Sequence, residues 1–273
     1  SAFELMKNLL FCFSISFCLI DFSLKAEPDP TPLPQAHSHN DYYHKRPLLD
    51  ALANGFCSVE ADVFLRNGKL LIGHSRFELR DSRSLERLYL KPLAKRVQAK
   101  GGSVYKAKVP FYLMIDFKTD GPKTYAILQP LLEKYRFMLT EFKSGNTKVG
   151  AVTVVISGSR PREIMEKQSR RLVGYDGRLS DLGQNPSPHF MPWISDSWKS
   201  HFKWNGKGYL SKSEEAKLNG IIQQVRNNGQ KLRFWATPDI PASWALFHNA
   251  GVDFINTDKL DSFAKFLREA RSK

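Results

Sequence analysis

The chain has 273 residues, and its 41 Lys and Arg against 27 Asp and Glu give a formal net charge of +14. This length fits one large α/β domain with a sizeable core. A basic surface attracts phosphate groups in general, but the basic residues are scattered and no nucleic-acid motif accompanies them. Composition therefore argues against dedicated nucleic-acid binding.

The N-terminal segment has the pattern of a signal peptide. Residues 1–5 precede a candidate start at Met6 and are interpreted as a cloning scar or upstream read-through. Met6-Lys7-Asn8 opens a short positive region, residues 9–20 are almost continuously apolar, and Leu24-Lys25-Ala26 resembles a small-residue cleavage site. We predict that residues 1–26 are removed near Ala26 and that the protein is exported, periplasmic or secreted. The alternative is an uncleaved N-terminal anchor.

Removal of this segment would leave Cys57 as the remaining cysteine, because Cys12 and Cys18 lie within it. That count excludes an intramolecular disulfide and a cysteine-based zinc site in the mature chain. Cys57 lies in an apolar run and is expected to be a small core residue.

Residues 27–34 are a Pro-rich linker, and residues 35–273 alternate short apolar runs with helical patterns. The predicted strands are 35–39, 58–64, 111–117, 151–156, 171–175, 190–194, 231–236 and 252–256. The predicted helices are 48–54, 85–99, 124–142, 162–169, 213–228, 242–249 and 259–270. Eight strand–helix units in about 240 residues predict a single-domain (β/α)8 TIM barrel. A doubly wound sheet is the alternative fold, and the fifth unit is the weakest because 179–188 holds little helical pattern.

Ionisable pairs follow the apolar runs in order. Residues i and i+2 of a strand point to the same face, roughly 7 Å apart, so Glu60 and Asp62 aim two carboxylates at one point, and Asp116 lies two residues before Lys118. Carboxylates that converge from two strands suit a hard cation such as Mg²⁺ or Ca²⁺. His39 and His74 on either side suit proton transfer. We therefore expect a metal-assisted phosphodiester site at the carboxyl ends of the strands, with one divalent cation.

The order of these motifs resembles the glycerophosphodiester phosphodiesterase and phosphatidylinositol-phospholipase-C-like superfamily over about residues 36–262. The resemblance is carried by His39-Asn40, Glu60-x-Asp62, Gly73-His74, Asp116-x-Lys118 and the run 251–258. His39-Asn40-Asp41-Tyr42 looks most like the branch that includes altered inheritance of mitochondria protein 6. Asp116-Phe117-Lys118-Thr119 together with Trp235 is similar to the spider sphingomyelinase D branch.

The resemblance implies a (β/α)8 barrel, a divalent ion held by Glu60, Asp62 and Asp116, and His39 with His74 as the acid/base pair. Asn40 replaces the usual Arg and Asp116 the usual Glu, which leaves glycerophosphodiester specificity open. We assign contacts with the phosphate or head group to three residues: Lys118, Asn40 and Trp235. A structural salt bridge is the alternative for Asp116 with Lys118, and plain core is the alternative for Trp235.

The sequence thus predicts an exported, metal-dependent phosphodiesterase that acts on a glycerophosphodiester or a phospholipid head group. It would be a phosphoric diester hydrolase, or a lyase that gives a cyclic product where the substrate has a neighbouring hydroxyl. Its partner would be a small phosphodiester or a phospholipid, with peripheral membrane contact and no obligate protein partner.

Two other functions remain. His37-x-His39 is also how amidohydrolase-like metallo-hydrolases begin, but the later strands offer almost none of the histidine ligands which that function needs. A catalytically inactive barrel that binds polyanions or lipid is the other, and the intact His39/His74 pair argues against it. Asp176-Gly177-Arg178 is either a turn or an anion clamp, and the aromatic stretch 193–204 is either a lid or a lipid-facing surface.

Overall fold

A computed structural model describes residues 29–272, so the predicted signal peptide at 1–26 lies outside the described residues. The described chain forms twelve strands. These are β1 (Leu33–Ser38), β2 (Phe56–Arg66), β3 (Lys69–Ile72), β4 (Phe111–Phe117), β5 (Glu141–Lys143), β6 (Asn146–Lys148), β7 (Val152–Gly158), β8 (Arg170–Arg171), β9 (Val173–Gly177), β10 (Trp193–Ser197), β11 (Lys231–Trp235) and β12 (Phe254–Thr257).

Eight of these strands close into a parallel barrel. Their order is β1-β12-β11-β10-β9-β7-β4-β2, and a further parallel pairing between β1 and β2 closes the ring. β3 pairs antiparallel with β2, while β5, β6 and β8 form a small separate sheet. A doubly wound sheet would leave two barrel strands unpaired at its edges, so the closure confirms the predicted TIM barrel.

Helices cover the outside of the barrel. They are α1 (Leu49–Ala53), α2 (Lys91–Ala99), α3 (Gly121–Glu133), α4 (Arg162–Glu166), α5 (Trp198–His201), α6 (Lys212–Asn227), α7 (Pro241–Ala250) and α8 (Leu260–Arg271). α8 buries Leu260, Phe263 and Leu267, the spacing of an amphipathic helix that packs on a core. The fifth unit carries only a 3-10 segment, Leu179–Gln184, as its weak helical pattern predicts. Within residues 29–272, every helix is too short or too polar to span a bilayer.

The predicted helix 124–142 is wrong in its second half. α3 ends at Glu133, and the chain then enters the β5–β6 hairpin. Gly145 supplies the positive φ of 70° that the hairpin turn requires. Phe142, in the middle of β5, is buried, whereas Lys143 at the end of the strand is exposed. The apolar side chain at 142 belongs to a strand of the small separate sheet. Over so short a run, apolar periodicity cannot distinguish a buried strand residue from a buried helix residue.

The aromatic stretch 193–204 packs inward. Trp193 lies in the barrel interior with its ring centroid 4.1 Å from that of Phe254. Trp198 stacks on Phe202 at 3.9 Å and donates its indole N–H to the carbonyl of Trp204. Trp198 and Phe202 are both buried, so these side chains are core rather than a lid or a lipid-facing surface.

The two ends of the described chain meet at the amino end of the barrel. β1 begins at Leu33, inside the segment predicted as linker, and Asp29 ahead of it accepts hydrogen bonds from Arg96 and from the backbone of Lys106. Arg271, at the end of α8, donates to the carbonyl of Pro32 at 2.9 Å. The carboxyl ends of the strands, hereafter the rim, lie at the opposite end.

Candidate active site

Three carboxylates meet inside the rim. Glu60 and Asp62 lie on β2 with two-residue spacing, and the β2–β4 register places Asp116 directly beside Asp62. One oxygen from each side chain lies within 4.8 Å of the other two. Glu60 and Asp62 are buried, and Asp116 is only 17% exposed. The i, i+2 rule and the parallel register together bring the three predicted metal ligands to one point.

The donor set fits a hard divalent cation. The cluster consists of carboxylate oxygens, the ligands preferred by Mg²⁺ and Ca²⁺. Among the described residues, Oδ1 of Asp62 is buried without any hydrogen-bond partner. Such an oxygen is costly to bury unless something binds it, whereas its neighbour Oδ2 accepts from the Tyr42 hydroxyl at 2.8 Å. The pattern leaves Oδ1 available as a ligand atom.

Charge compensation differs among the three carboxylates. Burial raises the pKa of Asp116 to about 6, although Lys118 works against that shift. Burial and the charge of Glu60 also raise the pKa of Asp62. Burial acts on Glu60 in the same direction, but Arg233 and His37 outweigh it and hold its pKa below the usual range. The ionised form is therefore less favoured at Asp62 and Asp116 than at Glu60, and an added cation would stabilise it there.

His39 follows the end of β1, and a carboxylate orients it. Its Nδ1 lies 2.9 Å from Oδ1 of Asp258, which follows β12, and its Nε2 lies 4.0 Å from Oε2 of Glu60. Burial works to lower the pKa of His39, but Asp258 and Glu60 raise it overall. An Nδ1–H donated to Asp258 leaves Nε2 on the side of the cluster with a lone pair available to accept a proton.

His74 approaches the cluster from the other side. Its Nδ1 lies 3.1 Å from Oδ2 of Asp62 and 3.2 Å from the hydroxyl of Tyr42. Its backbone N–H donates to Glu78, which fixes the loop after β3. The imidazole is 55% exposed, so the ring is accessible from solvent. His39 and His74 thus contact different carboxylates of the same cluster.

Lys118 lies close to the cluster, as predicted. Its Nζ is 3.1 Å from Oδ2 of Asp62 and 3.3 Å from Oδ1 of Asp116. Asn40 lies at the rim with a φ of 46°, and its Oδ1 is 2.9 Å from the Tyr42 hydroxyl. Trp235 ends β11 and is half-buried beneath the guanidinium of Arg178. Lys118 therefore contacts the cluster directly, and Asn40 is linked to it through the Tyr42 hydroxyl. Trp235 belongs to a neighbouring part of the rim.

Sequence reasoning missed Arg233. This buried arginine of β11 pairs with Oε2 of Glu60 at 3.0 Å and donates to Asn256 at 2.8 Å. A signal was present, because a charged residue between Leu232 and Phe234 interrupts an apolar strand, and buried charges require a partner. Asp258, in the run 251–258, and Tyr42, in the motif that begins at His39, also received no role from sequence, yet both contact predicted catalytic histidines.

His37 lies beneath the cluster as a buried supporting residue. Its Nδ1 is 2.7 Å from Oγ of Ser58, and its Nε2 is 3.5 Å from Oε2 of Glu60. Burial, with Arg233 nearby, lowers the pKa of His37 to about 4, so the ring is neutral. In residues 29–272 the metal-competent cluster contains carboxylates alone, which disfavours the amidohydrolase-like alternative with histidine ligands.

Comparison with known proteins identifies the family. A family model described as an AIM6-like phosphodiesterase domain matches residues 26–176, and one for the glycerophosphoryl diester phosphodiesterase family matches residues 231–261. Altered inheritance of mitochondria protein 6 from Eremothecium gossypii is 32% identical over 278 residues, covering 89% of this chain and 72% of the relative. A homolog from Arthroderma benhamiae is 28% identical, covering 85% and 82% of the two chains.

Solved structures agree on the fold. A glycerophosphodiester phosphodiesterase from Parabacteroides distasonis matches with a TM-score of 0.51 and 15% identity, covering 90% of this chain and 100% of that one. The phosphatidylinositol-specific phospholipase C from Listeria monocytogenes matches with a TM-score of 0.50 and 10% identity, covering 89% and 96%. The chain belongs to the AIM6-like phosphodiesterase family, a branch of the glycerophosphodiester phosphodiesterase and phosphatidylinositol-phospholipase-C-like superfamily.

Proposed function

We propose that the chain is a metal-dependent phosphodiesterase that cleaves a glycerophosphodiester or a phospholipid head group. The observation that carries the proposal is the convergence of three carboxylates with two histidines, each in contact with a different carboxylate. Membership of a phosphodiesterase family and a fold shared with phosphoric diester hydrolases and lyases support the same reaction class.

Glu60, Asp62 and Asp116 would hold one divalent cation, Mg²⁺ or Ca²⁺. When bound, such a cation supplies positive charge that stabilises the oxygens of the transferring phosphoryl group. Lys118, bonded to Asp62 and Asp116, adds a second positive charge at the same place. Asn40 completes the proposed contacts with the phosphate, whereas Trp235, predicted to contact the head group, lies in a neighbouring part of the rim under Arg178.

His39 and His74 would carry out proton transfer. One imidazole takes the proton of the attacking hydroxyl as the new P–O bond forms, and the other gives a proton to the leaving alkoxide as its P–O bond breaks. Asp258 holds His39 and Asp62 holds His74, each through Nδ1, so both rings would use Nε2. Attack by water gives a monoester, whereas attack by a neighbouring substrate hydroxyl gives a cyclic diester.

The test is turnover of bis-p-nitrophenyl phosphate and of glycerophosphodiesters with added Mg²⁺ or Ca²⁺, followed by ³¹P NMR to identify monoester or cyclic product. We expect activity that EDTA abolishes and that His39→Ala lowers on the glycerophosphodiesters, whose alkoxide leaving group needs a proton. His189→Ala, in the loop before β10 at the opposite end of the barrel, is the matched control. A folded, metal-loaded protein without turnover on any of these diesters would favour the inactive binding barrel.

We also propose that the protein is exported after cleavage near Ala26 and contacts lipid surfaces at the rim. The charge and hydropathy pattern of residues 6–26 supports export. Phe77, in the segment Arg76–Glu78 just after His74, is 92% exposed, and Tyr43 beside His74 is 58% exposed, which supports lipid contact. Mass spectrometry of the mature chain tests export, and a chain that keeps residues 6–26 would contradict cleavage.

A further inference from the structure

Trp235, assigned from sequence to a head group, has one face of its ring occupied by the protein itself. The guanidinium carbon of Arg178 lies 4.8 Å from the centroid of the Trp235 ring. An aromatic face covered in this way is not free to receive a quaternary ammonium group, which binds such faces through cation–π contact. The group presented at this part of the rim is therefore an arginine.

Arg178 is held rigidly at the carboxyl end of β9. Its Nη1 donates to Oδ2 of Asp176 at 2.8 Å and to the carbonyl of Gly177 at 2.9 Å. Asp176 is fully buried and also accepts from Ser157 and Ser195, so its position is fixed. The Arg178 side chain nevertheless stays 24% exposed. This arrangement gives a partly exposed guanidinium with a defined orientation.

A second arginine contacts the backbone of Asp176 and has no carboxylate partner of its own among the described residues. Arg160, which follows β7, donates from Nη1 to the carbonyl of Asp176 and lies over the ring of Tyr175 at 4.7 Å. Among residues 29–272, Arg160 pairs with no carboxylate, and its buried Nε has no hydrogen-bond partner. Burial, followed by the charge of Arg178, lowers the pKa of Arg160.

The other acidic residues nearby are already engaged. Asp181 pairs with Arg162 at 2.8 Å and also accepts from the backbone of Arg178. Asp196 lies 3.3 Å from His201 and accepts from the backbone of Leu179. The Asp176 carboxylate therefore pairs with Arg178, and Arg160, which contacts the backbone carbonyl of Asp176, has no ion-pair partner among residues 29–272.

This arginine pair is next to the carboxylate cluster. β7 lies between β4 and β9, and its Ser157 is in register with Asp116 and donates to Asp176. A Cβ at Gly158 would collide with Oδ1 of Asp116, so the loop that carries Arg160 touches the cluster. Two strand spacings place Asp116 and Asp176 about 10 Å apart. Arg178 follows Asp176 by two residues, as Lys118 follows Asp116.

We propose that Arg178 and Arg160 form a subsite for a second anionic group, so that the chain prefers phosphodiesters whose alcohol carries a phosphomonoester or a carboxylate. The inference rests on the proposed function, because it takes the scissile phosphate to lie at Lys118 and the carboxylate cluster. It assigns Trp235 to supporting Arg178 through stacking. Head groups that end in a quaternary ammonium are disfavoured at this subsite.

Calorimetric titration of the full chain with non-hydrolysable ligands tests the subsite without catalysis. Butanediyl and hexanediyl bisphosphonate are compared with butylphosphonate and hexylphosphonate at fixed free Mg²⁺, and ω-phosphonobutanoate separates a carboxylate from a phosphate as the second group. We expect the bisphosphonate that spans the two positions to bind about tenfold or more tightly than its monophosphonate, the size of one charge-assisted contact. Equal affinities in the wild-type chain would overturn the proposal.

Variants locate the second contact. Arg178→Gln should reduce the bisphosphonate advantage to about twofold or less, with the monophosphonate affinity unchanged. Arg160→Gln should reduce the bisphosphonate advantage by a smaller factor. If Arg178→Gln does not fold, the result for Arg160→Gln decides the test. Arg76→Gln removes one exposed charge elsewhere on the rim and should keep the full advantage. An advantage that survives both subsite variants, or that Arg76→Gln removes equally, would overturn the proposal.

The same data separate this proposal from the proposed function. Arg178-dependent binding of bisphosphonate by a chain that turns over no phosphodiester would refute the function and keep the subsite. Turnover of diesters by a chain that binds bisphosphonate and monophosphonate equally would refute the subsite and keep the function.

Discussion

The ammonium of Lys118 lies 3.1 Å from Oδ2 of Asp62, so a cation of the protein is bonded to a carboxylate of the candidate metal cluster. Burial works against its charge, but Asp116 and Asp62 raise the pKa of Lys118 overall, and the ammonium stays charged. This contact fits two roles for Lys118, one towards the phosphate and one towards the carboxylates.

Lys118→Met should lower kcat about 100-fold or more, the range for loss of an electrostatic contact in the transition state. Metal affinity should stay intact or rise slightly, because the substitution removes a cation that repels the ion. Calorimetric metal titration beside kinetics at saturating metal measures both, with Lys118→Arg as a variant that keeps the charge. Full recovery of the rate with excess metal would show that Lys118 only steadies Asp116.

His39→Ala and His74→Ala should each lower kcat about 100-fold or more, as expected for a positioned acid or base. Folding and metal uptake should survive, because neither imidazole belongs to the three-carboxylate cluster. The substrate needs a poor leaving group, since p-nitrophenolate departs without a proton and would hide loss of the acid. Retained turnover in either variant removes that histidine from the mechanism.

Arg233→Met should destabilise the metal-free protein by about 3–5 kcal/mol, because removing one partner leaves a buried charge on Glu60. A divalent cation would replace the missing positive charge, so added metal should raise the melting temperature more in this variant than in the wild-type chain. Thermal denaturation with and without Mg²⁺ or Ca²⁺ measures the difference. An equal rise in both proteins would contradict a charge-compensating role for Arg233.

Glu141→Gln should make stability less dependent on acid pH. Arg170, Lys143 and Arg136 hold the pKa of Glu141 down to about 2, against its usual value of 4.5. A carboxyl group whose pKa is lower in the folded protein stabilises the fold fully at pH values above its pKa in the unfolded chain. This stabilisation is lost as pH falls from about 4.5 towards 2. Urea denaturation across this pH range measures the free energy of unfolding. The difference in that free energy between the wild-type chain and the variant should shrink as pH falls. Glu163→Gln, an exposed carboxylate on α4, is the control and should show no such trend.

Phe77→Ser should lower activity on phospholipid vesicles about tenfold, since burying a Phe side chain is worth about 1.5–3 kcal/mol. Activity on a soluble diester should not change, because Phe77 is 92% exposed. Phe137→Ser is the matched control, since Phe137 is 57% exposed in the segment after α3 at the opposite end of the barrel. Equal losses on vesicles and on the soluble substrate would contradict lipid contact.

Local rules account for the part of the site that sequence predicted. The two-residue spacing of Glu60 and Asp62 depends only on strand geometry, and the barrel register then brings Asp116 alongside. The pairing of Arg233 with Glu60 joins residues 173 positions apart across the barrel interior. A contact between residues so far apart leaves no periodic pattern in the sequence. The stacking of Arg178 on Trp235 could not be predicted for the same reason. The helix predicted over 124–142 failed for a different reason, because the short β5–β6 hairpin has too few residues to show its own alternation.

The contact between Arg271 and Pro32 has a practical consequence for handling the protein. Because both ends of the described chain lie at the face opposite the rim, attachment to a solid support through either end would present the rim to solvent. A short peptide could join residues 29 and 272, and new termini could then be opened in a surface loop at that same face. Such a circularly permuted protein would keep every rim residue beside its present neighbours in the sequence.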